Sequence, residues 1–240
     1  MSNTTKNSTI TVFVPAYNEE ENLADAVRNA VDAVKDDFKE YEIMIVNANS
    51  SDRTGEIADS LARNNRKIRV IHNKSYFGLG ENYMNAVRES RMQYFTMLPG
   101  DNENSPIYFR KALQEAGKAE IIATHTLNKR DRSVHRRILS EAYFRFLNFI
   151  FELNLKYYNG NAVYKTAILK KLKLMSGGFE YNSEILIRLI KAGYSYEEFG
   201  IKIRPTHKTS IFRIKNVVSI LKTILLLFFD IRIRKNFLGE

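Results

Sequence analysis

From Ile10 onward the chain alternates short apolar runs with amphipathic stretches, and each apolar run gives way to a polar loop. Such an alternation of strand and helix signals leaves few solutions: a mainly parallel α/β sheet with helices on both faces. Strands are expected over Ile10 to Val14, Glu42 to Val46, Ile68 to Ile71, Tyr94 to Leu98 and Glu120 to Thr124. Between the first two, Leu23, Ala26, Val27, Ala30, Val31 and Val34 recur at three-and-four spacing, the apolar face of a helix over Glu21 to Val34. Ser51 to Thr54 supplies cap-type residues before a helix from Gly55 to about Asn64, and Pro106 stands where a helix from Ile107 begins. In open sheets of this kind ligands bind beyond the carboxyl ends of the strands, so the chemistry belongs in the polar loops.

After Arg132 the pattern changes. A long aromatic amphipathic segment over Ile138 to Leu155 is followed by the loop Asn159-Gly160-Asn161, and Val217 to Phe229 forms a further apolar run. That run is shorter than the ~20 residues a bilayer crossing needs. The organisation read here is a frayed polar tail over 1–9, one α/β unit over 10–210 and a basic amphipathic helical appendage over 211–240. One core can hold a chain of 240 residues arranged in this way.

Composition removes whole classes of function. The absence of cysteine excludes a disulfide framework, a thiolate zinc site and a cysteine nucleophile. The four histidines are not paired at zinc spacing, and no Gly-x-Ser-x-Gly elbow or Gly-Lys-Ser/Thr loop occurs. Thirty-seven basic against 27 acidic residues, a net +10, favour anionic partners such as nucleic acid, anionic lipid or phosphorylated substrates. The excess sits in the second half, at Lys129, Arg130, Arg132, Arg136, Arg137 and between Lys202 and Lys235. The first nine residues lack the apolar stretch of a secretory signal, and a cytosolic setting is expected.

Four loops could carry chemistry. The first sets Pro15, Tyr17, Asn18 and Glu19 after a strand, suited to a base and ribose and equally to a turn with acids at a helix N-terminus. The second offers Asn47, Asn49 and Ser50 as hydrogen-bonding groups for a nucleotide, or ordinary turn chemistry. The third holds Gly78 and Gly80 but has Tyr83 where a dinucleotide fingerprint needs a glycine, which argues against a dehydrogenase. In the fourth, Asp101 and Glu103 lie two apart; extended backbone points them the same way, so they could share one hard cation, Mg2+ or Mn2+, that bridges a diphosphate. A solvated turn with a capping acid accounts for the same two residues without any ligand.

Taken in order, these loops resemble the inverting family-2 glycosyltransferases, which have the Rossmann-like GT-A fold, and within them the dolichyl- or polyprenyl-phosphate sugar synthases. Pro15-Ala16-Tyr17-Asn18-Glu19-Glu20-Glu21-Asn22-Leu23 is similar to the family's Pro-x-Tyr-Asn-Glu-x-x-Asn-Leu opening, Ser50-Ser51-Asp52-Arg53-Thr54 to its Ser-x-Asp-x-Thr, and Gly78-Leu79-Gly80 to its Gly-Leu-Gly. Glu184 to Arg188, followed by Gly193-Tyr194, resembles the region ending in Glu-x-x-x-Arg and Gly-Tyr. The likeness runs from about Ile10 to Ser210 and has gaps. Aligned on Pro106, the acidic motif Asp-x-Asp-x-Gln-x-Pro-Pro has Pro99 at its first acid; Asn47-Ala48 stands where Asp-Asp is usual, and Ala162 where an arginine is expected.

The resemblance implies a nucleotide site at Pro15, Tyr17, Glu19, Asn47, Asn49, Ser50, Gly78, Gly80 and Asp101, and a metal pair of Asp101 and Glu103. It makes Asp101 and Arg204 catalytic, and has Arg136, Ser140 and Lys208 hold the acceptor's phosphate. A plain cationic helix face reads Arg136 and Ser140 equally well. The implied reaction is metal-dependent transfer of a hexosyl group, with inversion, from a nucleotide sugar to a polyprenyl phosphate. No late acidic pair of the base type is present, and an already anionic phosphate needs none, whereas Asp131, Glu180 or Glu184 could serve a glycan hydroxyl in surface polysaccharide synthesis.

Tyr143 to Phe151 and Val217 to Phe229, flanked by Arg213, Lys215, Arg232, Arg234 and Lys235, suit a membrane interface, or equally a core or dimer contact. The expected setting is therefore peripheral, at the cytoplasmic face of a membrane, with a homo-oligomer open and no nucleic acid as partner. Two rival readings stand beside this one. A basic nucleic-acid-binding module is suggested by a pI of 9.6. A catalytically inactive nucleotide-binding protein is suggested by Asn47, Ala48, Pro99 and Ala162.

Overall fold

A single seven-stranded sheet organises the chain, in the order β3 (Ile68–His72), β2 (Glu40–Asn47), β1 (Thr9–Ala16), β4 (Tyr94–Met97), β6 (Val163–Lys165), β5 (Ile121–Thr126), β7 (Tyr196–Ile201). The computed structural model describes residues 4–101, 104–129, 134–178, 180–203 and 214–239. Strands β1 (Thr9–Ala16), β2 (Glu40–Asn47), β3 (Ile68–His72) and β4 (Tyr94–Met97) run parallel. β5 (Ile121–Thr126) and β7 (Tyr196–Ile201) are parallel to each other, and β6 (Val163–Lys165) lies antiparallel between β4 and β5. The chain lays β1 to β3 toward one edge and then returns to put β4 on the other side of β1. Winding therefore reverses between β1 and β4, the position where open α/β sheets leave a crevice.

Helices α1 (Leu23–Val34), α2 (Thr54–Asn64), α3 (Leu79–Glu89), α4 (Pro106–Gln114), α5 (Val134–Phe151), α6 (Thr166–Leu169), α7 (Tyr181–Lys191) and α8 (Ile214–Phe228) fill the intervals. Strand alternation divides β1 between two cores. Ile10, Val12 and Val14 face Leu23, Val27, Phe109 and Leu113 of α1 and α4, whereas Phe13 faces the side covered by α3, α5, α7 and α8. Both faces are thus sealed, as a parallel sheet requires.

All five expected strands form, with boundaries that shift by a residue or two at most ends. β6 is too short for any periodicity to show. Pro106 opens α4 as expected. The capping expectation at Ser51 to Thr54 takes another form: Arg53 precedes α2 without a side-chain cap, and Asp52 Oδ1 accepts the Thr54 N–H (2.9 Å). α1 begins at Leu23 instead of Glu21, because Glu19 O accepts the N–H groups of Asn22 and Leu23 in a preceding turn. α5 stops at Phe151, short of Leu155: Glu152 turns left-handed, and the Asn148 amide accepts the Leu155 N–H and donates to the Leu155 carbonyl, closing the end. The C-terminal helix continues into a π-helical turn over Phe229–Arg234, and Ile224, Leu227 and Ile231 are buried in the α5/α7 core.

Candidate active site

Register aligns the strand ends. Ala16 pairs with Asn47, and Asn47 with His72, so the loops after β1, β2 and β3 leave the sheet side by side. They are tied by side-chain-to-backbone bonds. Ser50 Oγ accepts the Asn18 N–H (3.0 Å), Asn18 Oδ1 accepts the Ser51 N–H (2.9 Å), and Thr54 Oγ1 accepts the Glu19 N–H (2.8 Å). Asn18 and Asn49 have φ of 53° and 60°, a left-handed conformation that asparagine tolerates better than most side chains. Burial alone would raise the Asp52 carboxyl, but hydrogen bonds from Thr54 and the Glu20 N–H outweigh it and hold the group below the usual carboxylate range. The exposed Tyr17 ring meets Tyr76 edge-on at 5.1 Å, giving the crevice an aromatic rim.

Asn47 is only 7% exposed and firmly oriented. Its Oδ1 accepts the Ser50 N–H (3.1 Å), which leaves Nδ2 to face His72 Nδ1 (3.1 Å). An N–H donor there requires His72 Nδ1 to be the acceptor, so Nε2 carries the proton and donates to Asp59 Oδ1 (2.9 Å). His72, unremarkable in the sequence, thereby becomes the support of a candidate nucleotide residue.

The loop after β4 folds back on β1. Gly100 N–H donates to the Pro15 carbonyl (3.2 Å), and a Cβ at position 100 would lie 2.7 Å from that oxygen, so only glycine allows the approach. Asp101 follows directly. It stands on the wall of a cavity of about 480 Å3. Ser140, Tyr143 and Phe146 of α5, Asn161, Glu180, and Ile220 and Leu221 of α8 form other parts of that wall. The structure thus brings Asp101 and Ser140, read separately in the sequence, to one space.

Two sets of hydrogen bonds hold polar groups of the cavity wall. Tyr143 Oη bonds Ser183 Oγ (3.1 Å), which bonds Asn159 Oδ1 (3.1 Å). Burial pushes the Tyr143 phenol up to about 12, so it works as a neutral hydrogen-bonding group. Glu180 Oε1 accepts from Thr223 of α8 (3.2 Å). On the far side of α5, Lys129, Arg137 and Arg145 border a second groove of about 590 Å3 that shares Ser140, Phe144 and Tyr157 with the cavity.

Gly78 and Gly80 sit where the two halves of the site touch. Gly80 N–H donates to the Gly177 carbonyl (3.1 Å), and a Cβ at position 78 would come within 2.2 Å of the same oxygen. The glycines therefore serve a loop-to-loop contact. Glu103, Asp131, Arg204, Lys208 and the Arg136 side chain lie outside the described residues. Nothing in the sequence singles out Thr223 or His72, because neither carries a motif and their partners, Glu180 and Asp59, are distant in the chain.

Among the described residues no three His, Cys, Asp or Glu side chains cluster as a metal cage. A hard cation bound together with a diphosphate needs no cage, since one or two carboxylates and the substrate's own oxygens complete its shell. Asp101, on the cavity wall at the strand end, offers oxygen donors of that kind. No helix among the described residues is long and apolar enough to cross a membrane.

The sequence profile of Glycosyl transferase family 2 matches residues 11–173. Among curated proteins, the "Uncharacterized glycosyltransferase EpsJ" of Bacillus subtilis is 28% identical over 112 residues, 47% of this chain and 31% of that protein. Undecaprenyl-phosphate 4-deoxy-4-formamido-L-arabinose transferase of Edwardsiella ictaluri is 26% identical over 131 residues, 53% of this chain and 40% of that protein. The chain thus spans well under half the length of these curated relatives. In structure, it is similar to glucosyl-3-phosphoglycerate synthase from Mycobacterium tuberculosis in complex with Mn2+, uridine-diphosphate and phosphoglyceric acid. The TM-score is 0.67 at 16% identity, covering 92% of this chain and 78% of that one, a likeness of fold.

Proposed function

The chain belongs to glycosyl transferase family 2, and from that premise we propose that it transfers a sugar, with inversion, from a nucleotide-sugar donor to a polyprenyl-phosphate lipid acceptor at the cytoplasmic face of a membrane. The observation that carries this reading is the cavity that opens from Asp101, in the loop after β4, between the aromatic helix α5 and the C-terminal helix α8. Its apolar walls suit an isoprenoid chain, and Ser140 sits close enough to the same space to meet a phosphate. Ile138, Phe146 and Phe149 of α5 and Leu221 and Leu225 of α8 are exposed apolar groups that would enter the interfacial layer. The domain reading is a glycosyltransferase unit over 10–210 with an interfacial C-terminal helix over 211–240.

In the proposed reaction, an anionic phosphate oxygen of the acceptor attacks the anomeric carbon while the bond to the nucleoside diphosphate breaks on the opposite face. The β1–β3 loops hold the nucleotide, with Tyr17 at the rim and Asn47 oriented by His72. Asp101 and Glu103 would hold Mg2+ or Mn2+, which supplies neutralisation of the leaving diphosphate's charge. Arg204 adds a second positive group there, and Arg136, Ser140 and Lys208 position the acceptor phosphate. Because that oxygen is already ionised, positioning replaces general-base chemistry.

A second reading has one observation in its favour: Glu180, buried in the same cavity, could accept the proton of a glycan hydroxyl. Incubating the full chain with a panel of sugar nucleotides and Mg2+ or Mn2+, with and without polyprenyl phosphate, separates the two. Nucleoside diphosphate release that depends on the lipid phosphate supports the first reading. Release that follows a glycan acceptor and ignores the lipid supports the second, and salt-sensitive RNA or DNA binding without turnover overturns both.

A further inference from the structure

Arg188 of α7 is the largest fully buried side chain in the described residues, at 0% exposure. Its Nε donates to Glu184 Oε1 (2.8 Å), its Nη2 to Asp230 Oδ2 (2.9 Å) and its Nη1 to the Asn236 carbonyl (2.9 Å). Glu184 and Arg188 are one turn apart on α7, whereas Asp230 and Asn236 belong to the segment that follows α8. Arg234 approaches the other Asp230 oxygen (3.4 Å), so two arginines balance two carboxylates. Ion pairs removed from water bring little net stability, but stranding one member is costly. A guanidinium buried this deeply therefore depends on Asp230 staying in place.

Each partner of Arg188 leads to a different part of the candidate site. Glu184 also accepts the Met175 N–H, the Ser176 N–H and the Ser176 hydroxyl, fixing the segment whose Gly177 carbonyl meets Gly80 and whose continuation carries Glu180. Asp230 anchors the end of the helix that supplies Ile220, Leu221 and Ile224 to the cavity wall and Thr223 to Glu180. A second tie, Arg232 to both Glu152 oxygens (2.5 and 2.6 Å), joins the same turn to the end of α5 but is open to solvent and correspondingly weaker.

We infer that Arg188 and Asp230 are positioning residues: their ion pair latches the C-terminal helix as a wall of the acceptor cavity and, through Glu184, sets the loop that carries Glu180. Neither residue touches substrate. The latch explains why an arginine, and not a leucine, occupies the core of α7: its fork satisfies two carboxylates and a carbonyl at once, a geometry lysine cannot reproduce. The role at the acceptor cavity rests on the glycosyltransferase reading, whereas the docking of α8 does not.

The chain has no cysteine, so Phe149→Cys on α5 and Leu225→Cys on α8, 85% and 57% exposed, can carry a pair of spin labels for distance measurement in the full-length protein. In the Asp230→Asn background, the α5–α8 distance distribution is expected to broaden. In the unlabelled variant, KM for polyprenyl phosphate should rise about tenfold while KM for the sugar nucleotide stays within about twofold. Arg188→Lys, which keeps the charge and loses the fork, should give an intermediate broadening and carries the test if Asp230→Asn does not fold by circular dichroism. A distribution unchanged from the wild type, or a loss of thermal stability with both KM values unmoved, overturns the latch. If the wild type turns over no sugar nucleotide, the proposed reaction fails while the distance measurement still decides whether the ion pair holds α8.

Discussion

The crevice at the ends of β1 to β4 and the cavity between α5, α7 and α8 are built by different means. In the crevice, short polar side chains bond backbone N–H groups of neighbouring loops: Ser50 with Asn18, Asn18 with Ser51, Thr54 with Glu19. These bonds are exposed or half-buried, and each can be remade with water at small net cost. The cavity is walled by aromatic and aliphatic side chains, and its order depends on a few buried polar groups, above all Glu184, Arg188 and Asp230. One region is therefore tolerant of single changes, and the other is set by interactions that fail together.

The change with the largest expected effect removes the group both regions share. Asp101→Ala should lower turnover by roughly 10²–10³-fold, the order seen when one preorganised electrostatic contact to a leaving group is lost, measured as nucleoside diphosphate release at saturating substrates. If turnover were untouched, the assignment of Asp101 to the diphosphate would be wrong, and the two regions would not meet there.

The seam between the regions comes next. Gly78→Ala puts a methyl group into the Gly177 carbonyl, within 2.2 Å in the present geometry. Overpacking of this kind should cost about 1–3 kcal/mol, read from the shift in a urea unfolding curve. No loss of stability would show that the loops part freely and that crevice and cavity are mechanically independent.

Within the crevice the effects shrink. Asp59→Asn withdraws the carboxylate acceptor from His72 and loosens Asn47, and should weaken nucleotide binding by no more than about tenfold, the equivalent of one modest hydrogen bond. Titration calorimetry with a nucleoside diphosphate checks this. A much larger loss would mean that the crevice, like the cavity, fails as a unit.

The smallest expected effect lies far from both. Hydrogen bonding to Arg110 holds the Asp37 carboxyl below its ordinary value. A carboxylate depressed in the folded state stabilises the protein above its unfolded pKa, and that contribution fades as pH falls through the folded value. Wild-type thermal stability should thus decline below about pH 4 more steeply than that of Asp37→Asn, and parallel melting profiles for the two proteins between pH 5 and pH 2 would contradict it.

Legibility followed the same division. Strands β1 to β5, helix α1 and the crevice loops could be read because periodicity and turn residues act over a few positions, as with Leu23 to Val34 on one helix face. Pro15, Tyr17, Glu19, Asn47, Asn49 and Ser50 stand out together as nucleotide candidates because they lie at, or just beyond, the carboxyl ends of β1 and β2. Thr223, His72 and the support given by Arg188 could not be found that way. Their partners lie 13 to 43 residues off in sequence, at Asp59, Glu180 and Asp230.

What the sequence by itself determined is the α/β architecture and the order of its loops, since alternating patterns of burial and turn chemistry are local and leave few solutions. Only the tertiary structure decided that Asp101 and Ser140 share a cavity, that α8 is one of its walls, and that a glutamate and an aspartate meet on one buried guanidinium. Those facts depend on which elements pack together, and packing is fixed by shape and desolvation across the whole core, which no short stretch of sequence encodes.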